Sequence, residues 1–445
     1  MKKIYLIFIA LLSLYHCSDP GRTTAPDADA YNDETPEDPD APFVRDVWAD
    51  WIKNNHLRIE SLDSDTFTDL HFLDSLISDK SMILMGETAH GIAEQNKMRV
   101  RVIKYLHQVH GFDIVAFESG LYDCYDTNRE IQSLSARNVL KNALYSFWHT
   151  TGLLDLMEYM KASYTTDSPM QLAGFDFHPT GNKSVRRPLF LKNIAMPVDS
   201  GFAELIYATD QTIVQRRTRL SYVDSYVEQN ADTLRQIYEM LIDRIEEHTD
   251  LLKEHFSEEE ILLARQVAVS VSKYILSRKI PPSYVIRDEQ MAENIKFIRE
   301  ILYPGRKIII WAHNCHVQKD LESVVILPNG RYRTNMGKWL CLAYGEDMYA
   351  IGSLAYRGHI NYGLVQDIHI SRDESIEAIL YRARKPFFFL DLSRQTENTG
   401  NSWMFHAVTQ TYIHRESPCD IRYIPRDQYD GILFIDTVSE PEFVY

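Results

Sequence analysis

The chain has 445 residues, and its composition is that of an ordinary globular protein, with 45% hydrophobic and 25% charged residues. This length is enough for two or three domains, or for one large domain with an insertion. Acidic residues outnumber basic ones by 63 to 47, so the net charge of −16 would repel the phosphate backbone of a nucleic acid. Composition therefore excludes nucleic acid as a partner, and the same charge argues against adhesion to an anionic membrane surface. Five cysteines are too few for a disulfide scaffold.

Residues 1–17 have the pattern of a secretory signal. Lys2 and Lys3 precede the apolar run Ile4–Leu14, which is too short to cross a bilayer. Cys17 follows where a bacterial lipoprotein carries its lipid-modified cysteine, although an ordinary cleaved signal peptide would also fit. We expect an exported protein, held in the cell envelope by lipid on Cys17 and facing the periplasm or the cell surface. No later stretch approaches the roughly 20 apolar residues of a membrane helix, so lipid would be the only membrane contact.

Residues 18–42 have the composition of a linker. They contain eight acidic residues and five prolines. Such a segment buries too little apolar surface to offset the entropy lost on folding. We therefore predict a disordered acidic linker, followed by a globular domain over residues 43–445.

The globular part alternates strand and helix signals. Short apolar runs without strict alternation predict strands that are buried on both faces, as in a parallel sheet. The predicted strands are Met82–Met85, Ile114–Phe117, Leu172–Phe175, Ile308–Trp311, Tyr349–Leu354, Pro386–Leu392 and Ile432–Ile435. Helical patterns lie between several of them, and one ends at Gly111. This alternation predicts an α/β fold with a mostly parallel central sheet flanked by helices.

Residues 201–281 interrupt the strand series. Apolar residues recur there at helical spacing, for example Leu234, Leu241 and Ile245, and almost no glycine or proline intervenes. The pattern predicts an all-helical insertion of two or three long helices. It is compatible both with a lid over a substrate and with a purely structural hairpin.

Ionisable side chains stand at the carboxyl ends of four consecutive predicted strands. They are Glu87, His90, Glu118, Asp176, His178, His313 and His316. In open α/β sheets, ligands bind outside the carboxyl ends of the strands. Taken singly, each residue also has a structural explanation, such as capping a helix or satisfying a buried hydrogen bond. Taken together, they predict an active site, with Asp176 and His178 assigned to substrate binding.

A set of short motifs carries a resemblance to a known family. They are Gly86–Gly91 (GETAHG) with Arg99, Phe117–Gly120 (FESG), Arg287–Ala292 (RDEQMA), Trp311–His316 (WAHNCH), Met336–Gly337 and Tyr349–Gly352. Over residues 65–440 the chain resembles the erythromycin esterase family. The resemblance implies hydrolysis of a macrolactone ester with His90 as general base. It also implies that Glu87, Arg99, Glu118, His313 and His316 are essential polar residues.

The chemistry of these residue types suits hydrolysis of a small-molecule ester. The reaction needs a neutral base, a group to orient that base, and donors for the developing oxyanion. Glu87 or Glu118 would orient His90, while Arg99 would hold a carboxylate or bind the oxyanion. No GxSxG motif provides a serine nucleophile. Cys315 is interpreted as a small buried residue, and the reaction is expected to need no cofactor.

Two other functions fit the same residues. Glu87, His90, Glu118, His313 and His316 are also ligand types for a divalent metal such as zinc or manganese, in a metal-dependent hydrolase or a metal-binding protein. Alternatively, the crevice binds a ligand without turnover, in a lipoprotein that presents the site at the cell surface. Sensitivity to a chelator would distinguish the first alternative, and binding without turnover would distinguish the second.

Overall fold

The computed structural model describes most of the chain after the predicted linker. The described residues are 41–216, 225–328, 330–361, 365–370, 374–412 and 419–444. The predicted signal peptide with Cys17, and residues 18–40 of the predicted linker, lie outside these ranges. Residues 41 and 42 were predicted to be linker but belong to the first helix. None of the helices within these ranges is long and apolar enough to cross a membrane.

Thirteen strands occur in the described ranges. They are β1 Leu57–Arg58, β2 Met82–Glu87, β3 Phe112–Gly120, β4 Gln171–Asp176, β5 Lys307–His313, β6 Val325–Ile326, β7 Gly330–Arg331, β8 Met348–Asn361, β9 Val365–His369, β10 Phe387–Asp391, β11 Val408–Tyr412, β12 Cys419–Tyr423 and β13 Gly431–Val438.

Seventeen α-helices accompany them in the same ranges. They are α1 Ala41–Asn55, α2 Phe72–Ile77, α3 Ala93–His110, α4 Leu121–Arg129, α5 Ala136–Ala143, α6 Thr151–Ser163, α7 Arg187–Ala195, α8 Ser200–Gln215, α9 Ser225–Gln229, α10 Ala231–Glu247, α11 Thr249–Lys253, α12 Glu258–Lys279, α13 Ser283–Phe297, α14 Asn314–Val317, α15 Met336–Tyr344, α16 Ile376–Tyr381 and α17 Pro425–Gln428.

The central sheet has nine strands. Its order is β1-β10-β13-β8-β2-β5-β3-β4, and β9 pairs with the end of β8. The six strands from β13 to β4 run parallel, whereas β10, β1 and β9 are antiparallel to their neighbours. All seven predicted strands lie in this sheet. The prediction of an α/β fold with a mostly parallel central sheet is confirmed.

A second sheet, of four short antiparallel strands in the order β11-β12-β6-β7, was not predicted. Its strands have two to five residues, which is too short for a periodic signal. Its pairing joins distant parts of the chain, since Ile326 pairs with Ile421. Local sequence patterns do not encode such a contact.

Both faces of the central sheet are covered by apolar layers. Neighbouring residues of β3 point to opposite sides, so that Ile114 belongs to one core and Val115 to the other. Both residues are fully buried. Because the faces are closed, polar groups that act on a ligand must lie at the ends of the strands.

The described residues between β4 and β5 form helices over a wider range than predicted. The predicted insertion covers 201–281, but helix α7 already begins at Arg187 and α13 ends at Phe297. Within it, Ser257 and Glu260 form a reciprocal cap at the start of α12. The helices share one continuous core with the sheet, in which Leu241 and Leu84 both lie. The segment is therefore a layer on one face of the sheet.

Candidate active site

The turn after β2 is fixed by its neighbours. The Thr88 hydroxyl donates to the carbonyl of Ser353 at 2.6 Å and accepts from Gln95 at 2.8 Å. Gly91 has φ +77°, and a Cβ there would lie 1.9 Å from the carbonyl oxygen of Asn361. Only glycine fits this position without rearrangement. Contacts with α3 and with β8 therefore hold the turn in place.

Glu87 and His90 form a carboxylate–imidazole pair within this turn. His90 Nδ1 contacts Glu87 Oε1, and the indole of Trp311 donates to Glu87 Oε2 at 3.3 Å. Glu87 is only 1% exposed, and burial by itself would raise its pKa. Its contact with His90 and the charge of Arg99 outweigh burial and hold the pKa of Glu87 below its usual value. An ionised carboxylate at Nδ1 favours the tautomer whose lone pair is on Nε2.

Arg99 lies behind Glu87. Its Nη1 is 3.5 Å from Glu87 Oε2, and its Nη2 donates to the carbonyl of Gly86 and, at 3.1 Å, to Ser353 Oγ. Burial lowers its pKa to about 10 although Glu87 opposes this shift. The guanidinium is still charged at neutral pH. Because Arg99 is buried behind the carboxylate, its position suits a residue that holds Glu87 better than one that binds an oxyanion.

Aromatic rings fix the plane of His90. Its ring stacks on Phe147 with 4.0 Å between centroids and an angle of 18°, and Trp148 meets it edge-on at 5.5 Å. The ring of His313 lies 5.9 Å away at 75°. The structure therefore brings together two of the predicted histidines, from the ends of β2 and β5.

Glu118 and Asp176 share one guanidinium, that of Arg287 on α13. Arg287 Nη2 lies 2.6 Å from Glu118 Oε1 and 2.7 Å from Asp176 Oδ2. Burial opposes ionisation of both carboxylates, but His316 and Arg287 hold the pKa of Glu118 well below its usual value. Arg287 and His178 likewise lower the pKa of Asp176. Both acids therefore stay ionised.

His316 is held between two acids. Its Nδ1 is 2.7 Å from Asp288 Oδ1, and its Nε2 is 3.3 Å from Glu118 Oε1. Burial would lower its pKa, but Asp288, Cys315 and Glu118 raise it well above the usual value. His316 is thus a cation at neutral pH.

His313 joins the two groups of residues. Its backbone N–H donates to Glu118 Oε2 at 3.2 Å, and its Nδ1 accepts from the Cys315 N–H at 3.3 Å, which caps α14. The imidazole faces His90, as described above. The predicted residues Glu87, His90, Glu118 and His313 therefore form one continuous arrangement across β2, β5 and β3.

His178 lies at the far end of this arrangement. Its Nδ1 is 3.1 Å from Asp176 Oδ1, and Arg278 Nη2 approaches its Nε2 at 2.6 Å. Burial, together with Arg278 and Arg287, lowers its pKa to about 4 although Asp176 opposes this. His178 is therefore neutral at pH 7. Asp176 and His178 contact protein cations, which suits groups that position other residues.

Three residues of the site were not predicted. Arg287 and Asp288 lie in the RDEQMA motif, which marked the segment but gave no role to its members. Arg278 lies on α12, within the helical insertion, and no sequence signal points to it. Among the described residues, no group of three His, Cys, Asp or Glu side chains is arranged to hold one metal ion.

A buried carboxylate–imidazole pair beside fixed cations is suited to acid–base hydrolysis, so fold and site define an α/β protein of hydrolytic type.

The model of the erythromycin esterase family matches residues 107–438. YbfO of Bacillus subtilis strain 168, named as a hydrolase, is 28% identical over 88% of this chain and 91% of its own length. Erythromycin esterase type II of Escherichia coli is 24% identical over 89% and 99%.

A solved structure shares the fold. The crystal structure of a Bacillus cereus protein superposes with a TM-score of 0.76 at 20% identity, and the match covers 90% of this chain and 99% of that one. The chain belongs to the erythromycin esterase family, and it is a hydrolase.

Proposed function

We propose that the chain hydrolyses a carboxylic ester of a small molecule with His90 as general base. The observation that carries this proposal is the contact between Glu87 and His90 Nδ1, in which a fully buried carboxylate keeps its charge. Such a carboxylate stabilises the imidazolium that forms when His90 takes a proton. The names of the family and of its Escherichia coli member support an ester as substrate.

The reaction would proceed by direct attack of water. His90 Nε2 takes a proton from water while the oxygen forms a bond to the ester carbonyl carbon. The carbonyl electron pair moves to its oxygen. Collapse of the tetrahedral intermediate breaks the bond to the alkoxy oxygen, which receives the proton that His90 took from water. Acid and alcohol leave, and His90 returns to its starting state.

The test is ester turnover by the purified chain and by His90→Asn, measured on aryl and alkyl esters and on erythromycin, with and without a chelator. General-base catalysis contributes about 100-fold to 10,000-fold, so we expect His90→Asn to lose at least about 100-fold in kcat. His406→Asn is the matched control, because that histidine is exposed and pairs only with Glu397 among the described residues. Equal rates in both variants, or no ester cleaved, would overturn the proposal. Loss of all turnover with chelator would favour the metal-dependent alternative.

We also propose that the chain is exported and anchored through lipid on Cys17. The support is the basic and apolar pattern of residues 1–17 and the acidic linker composition that follows. Cells that express the full chain would be fed a labelled fatty acid. We expect label and membrane association in the unchanged chain and neither in Cys17→Ser. Export with no label in the unchanged chain would instead indicate an ordinary signal peptide.

A further inference from the structure

Arg278 lies in the last turn of α12, at the edge of the candidate site. Its side chain is half-buried. Nη2 donates to His178 Nε2 at 2.6 Å, and the guanidinium carbon lies 4.7 Å from the centroid of the Tyr274 ring. A hydrogen bond on one side and a ring on the other hold the guanidinium in one orientation.

Within the described ranges Arg278 has no carboxylate as an ion-pair partner, unlike the other two arginines of the site. Arg99 pairs with Glu87, and Arg287 pairs with two acids. Across the described ranges no Asp or Glu lies within ion-pair distance of Arg278. Its nearest polar neighbour, His178, is neutral because its pKa is lowered to about 4.

Part of the hydrogen-bonding capacity of Arg278 is also unused. Its Nε is buried and has no hydrogen-bond partner among the described residues. A partly desolvated cation without a counter-charge is costly to the folded state. Such a cost is expected where a group is prepared for an external anion, because a fixed guanidinium binds carboxylate and phosphate in its plane.

The distance between an anion bound to Arg278 and the reacting bond depends on where Arg278 lies relative to the catalytic residues. Glu87, at the end of β2, and Asp176, at the end of β4, are separated by three strand intervals in the order β2-β5-β3-β4. At about 4.8 Å per interval, this is roughly 14 Å along the edge of the sheet. The His178 ring lies between Asp176, which contacts its Nδ1, and Arg278, which contacts its Nε2.

We propose that Arg278 binds an oxyanion, a carboxylate or a phosphate, on the acyl or alcohol part of the substrate. The substrate class is then an ester with an acidic group well away from the bond that is cleaved. This inference rests on the proposed esterase function. His178 acts as a positioning residue, because it links Asp176 to Arg278 and accepts a hydrogen bond from the guanidinium.

The first test compares matched esters. p-Nitrophenyl hexanoate is neutral, and the mono-p-nitrophenyl esters of dicarboxylic acids carry a carboxylate at increasing distance. We expect kcat/KM of the unchanged chain to favour the longer acidic esters. Arg278→Gln should raise KM for those esters about tenfold or more, with kcat and the neutral ester little changed. Arg278→Lys should recover part of the preference.

The control is Arg265→Gln, because Arg265 lies on the same helix and pairs with Glu246 at the surface. It should leave both kinds of ester unchanged. An equal loss on neutral and acidic esters in Arg278→Gln would indicate a purely structural role and overturn the proposal. An unchanged preference in Arg278→Gln would overturn it as well.

A second measurement does not depend on turnover. Succinate and inorganic phosphate should each be titrated into the unchanged chain while Tm is recorded. A rise in Tm in the unchanged chain and in Arg265→Gln, but not in Arg278→Gln, would support an anion site even if no ester is cleaved. The probe that gives the larger rise identifies carboxylate or phosphate. No rise with either probe, or the same rise in Arg278→Gln, would contradict the site.

Discussion

At the scale of single residues, the buried acids of the site stay ionised because each contacts a cation. Glu87 contacts His90 and Arg99, while Glu118 and Asp176 share Arg287. Glu377, on α16, is equally buried, and within the described ranges neither of its carboxyl oxygens has a hydrogen-bond partner of good geometry. Burial therefore raises its pKa to about 8. The partner of a buried carboxylate, and not burial alone, therefore decides its charge.

The buried Glu377 is predicted to make the stability of the folded chain depend on pH. Its pKa is higher in the folded chain than its ordinary 4.5. Its contribution to stability is therefore complete below about pH 4.5 and is lost as the pH rises through about 8. Glu377→Gln removes this loss. Tm of the variant should therefore rise relative to Tm of the unchanged chain as the pH increases from 5 to 8. Parallel Tm curves would contradict the assignment, and Glu293→Gln, an exposed change, is the control.

A substitution of Cys315 tests whether its sulfur is the nucleophile of the reaction. Burial would raise the pKa of its thiol, but the neighbouring His316 and His313 lower it. In the proposed mechanism this sulfur has no part in bond making. We expect Cys315→Ala to keep most of the ester turnover, in contrast to the loss of about 100-fold or more in His90→Asn. A loss as large in Cys315→Ala would mean that the sulfur is the nucleophile.

At the scale of elements, the site depends on how the turn after β2 packs on β8. Gly91 and Gly305 both have φ +77°, but only Gly91 faces a backbone atom where a Cβ would be placed. Gly305→Ala should cost about 1 kcal/mol in the free energy of unfolding, because only the backbone conformation is unfavourable. Gly91→Ala adds the clash with Asn361 and should cost about 3 kcal/mol.

Chemical denaturation of the two glycine variants would measure this difference. Activity per folded molecule should also fall in Gly91→Ala, because the same turn carries His90. If both variants lose the same stability, the contact between the turn and β8 is not maintained in solution.

Elements were predictable where their signal is local. Seven buried apolar runs predicted seven strands of the central sheet, since a strand buried on both faces is apolar throughout. The four-stranded sheet was missed because its strands are short and because the pairing of β12 with β6 joins distant segments. The helical insertion was recognised from its periodicity, but its first helix, α7, and its last, α13, lie outside the predicted range.

At the scale of the whole molecule, parallel topology assembles the site. Strands β2, β5, β3 and β4 are neighbours in the sheet, although β5 begins at Lys307 and β2 at Met82. Their carboxyl ends therefore meet at one edge. Helices α12 and α13 cover one face and bring Arg278 and Arg287 to the same edge. The predicted helical insertion thus supplies Arg278 to the site, and α13, which follows it, supplies Arg287.

The sequence by itself determined the fold class, the central strands and the candidate acids and histidines. It did so because apolar runs and motifs at strand ends are local patterns. The tertiary structure alone decided which charges meet. Arg287 contacts Glu118 across 169 residues, and Arg278 contacts His178 across 100. Periodicity carries no information about such pairs, because they arise only when distant segments pack on one sheet.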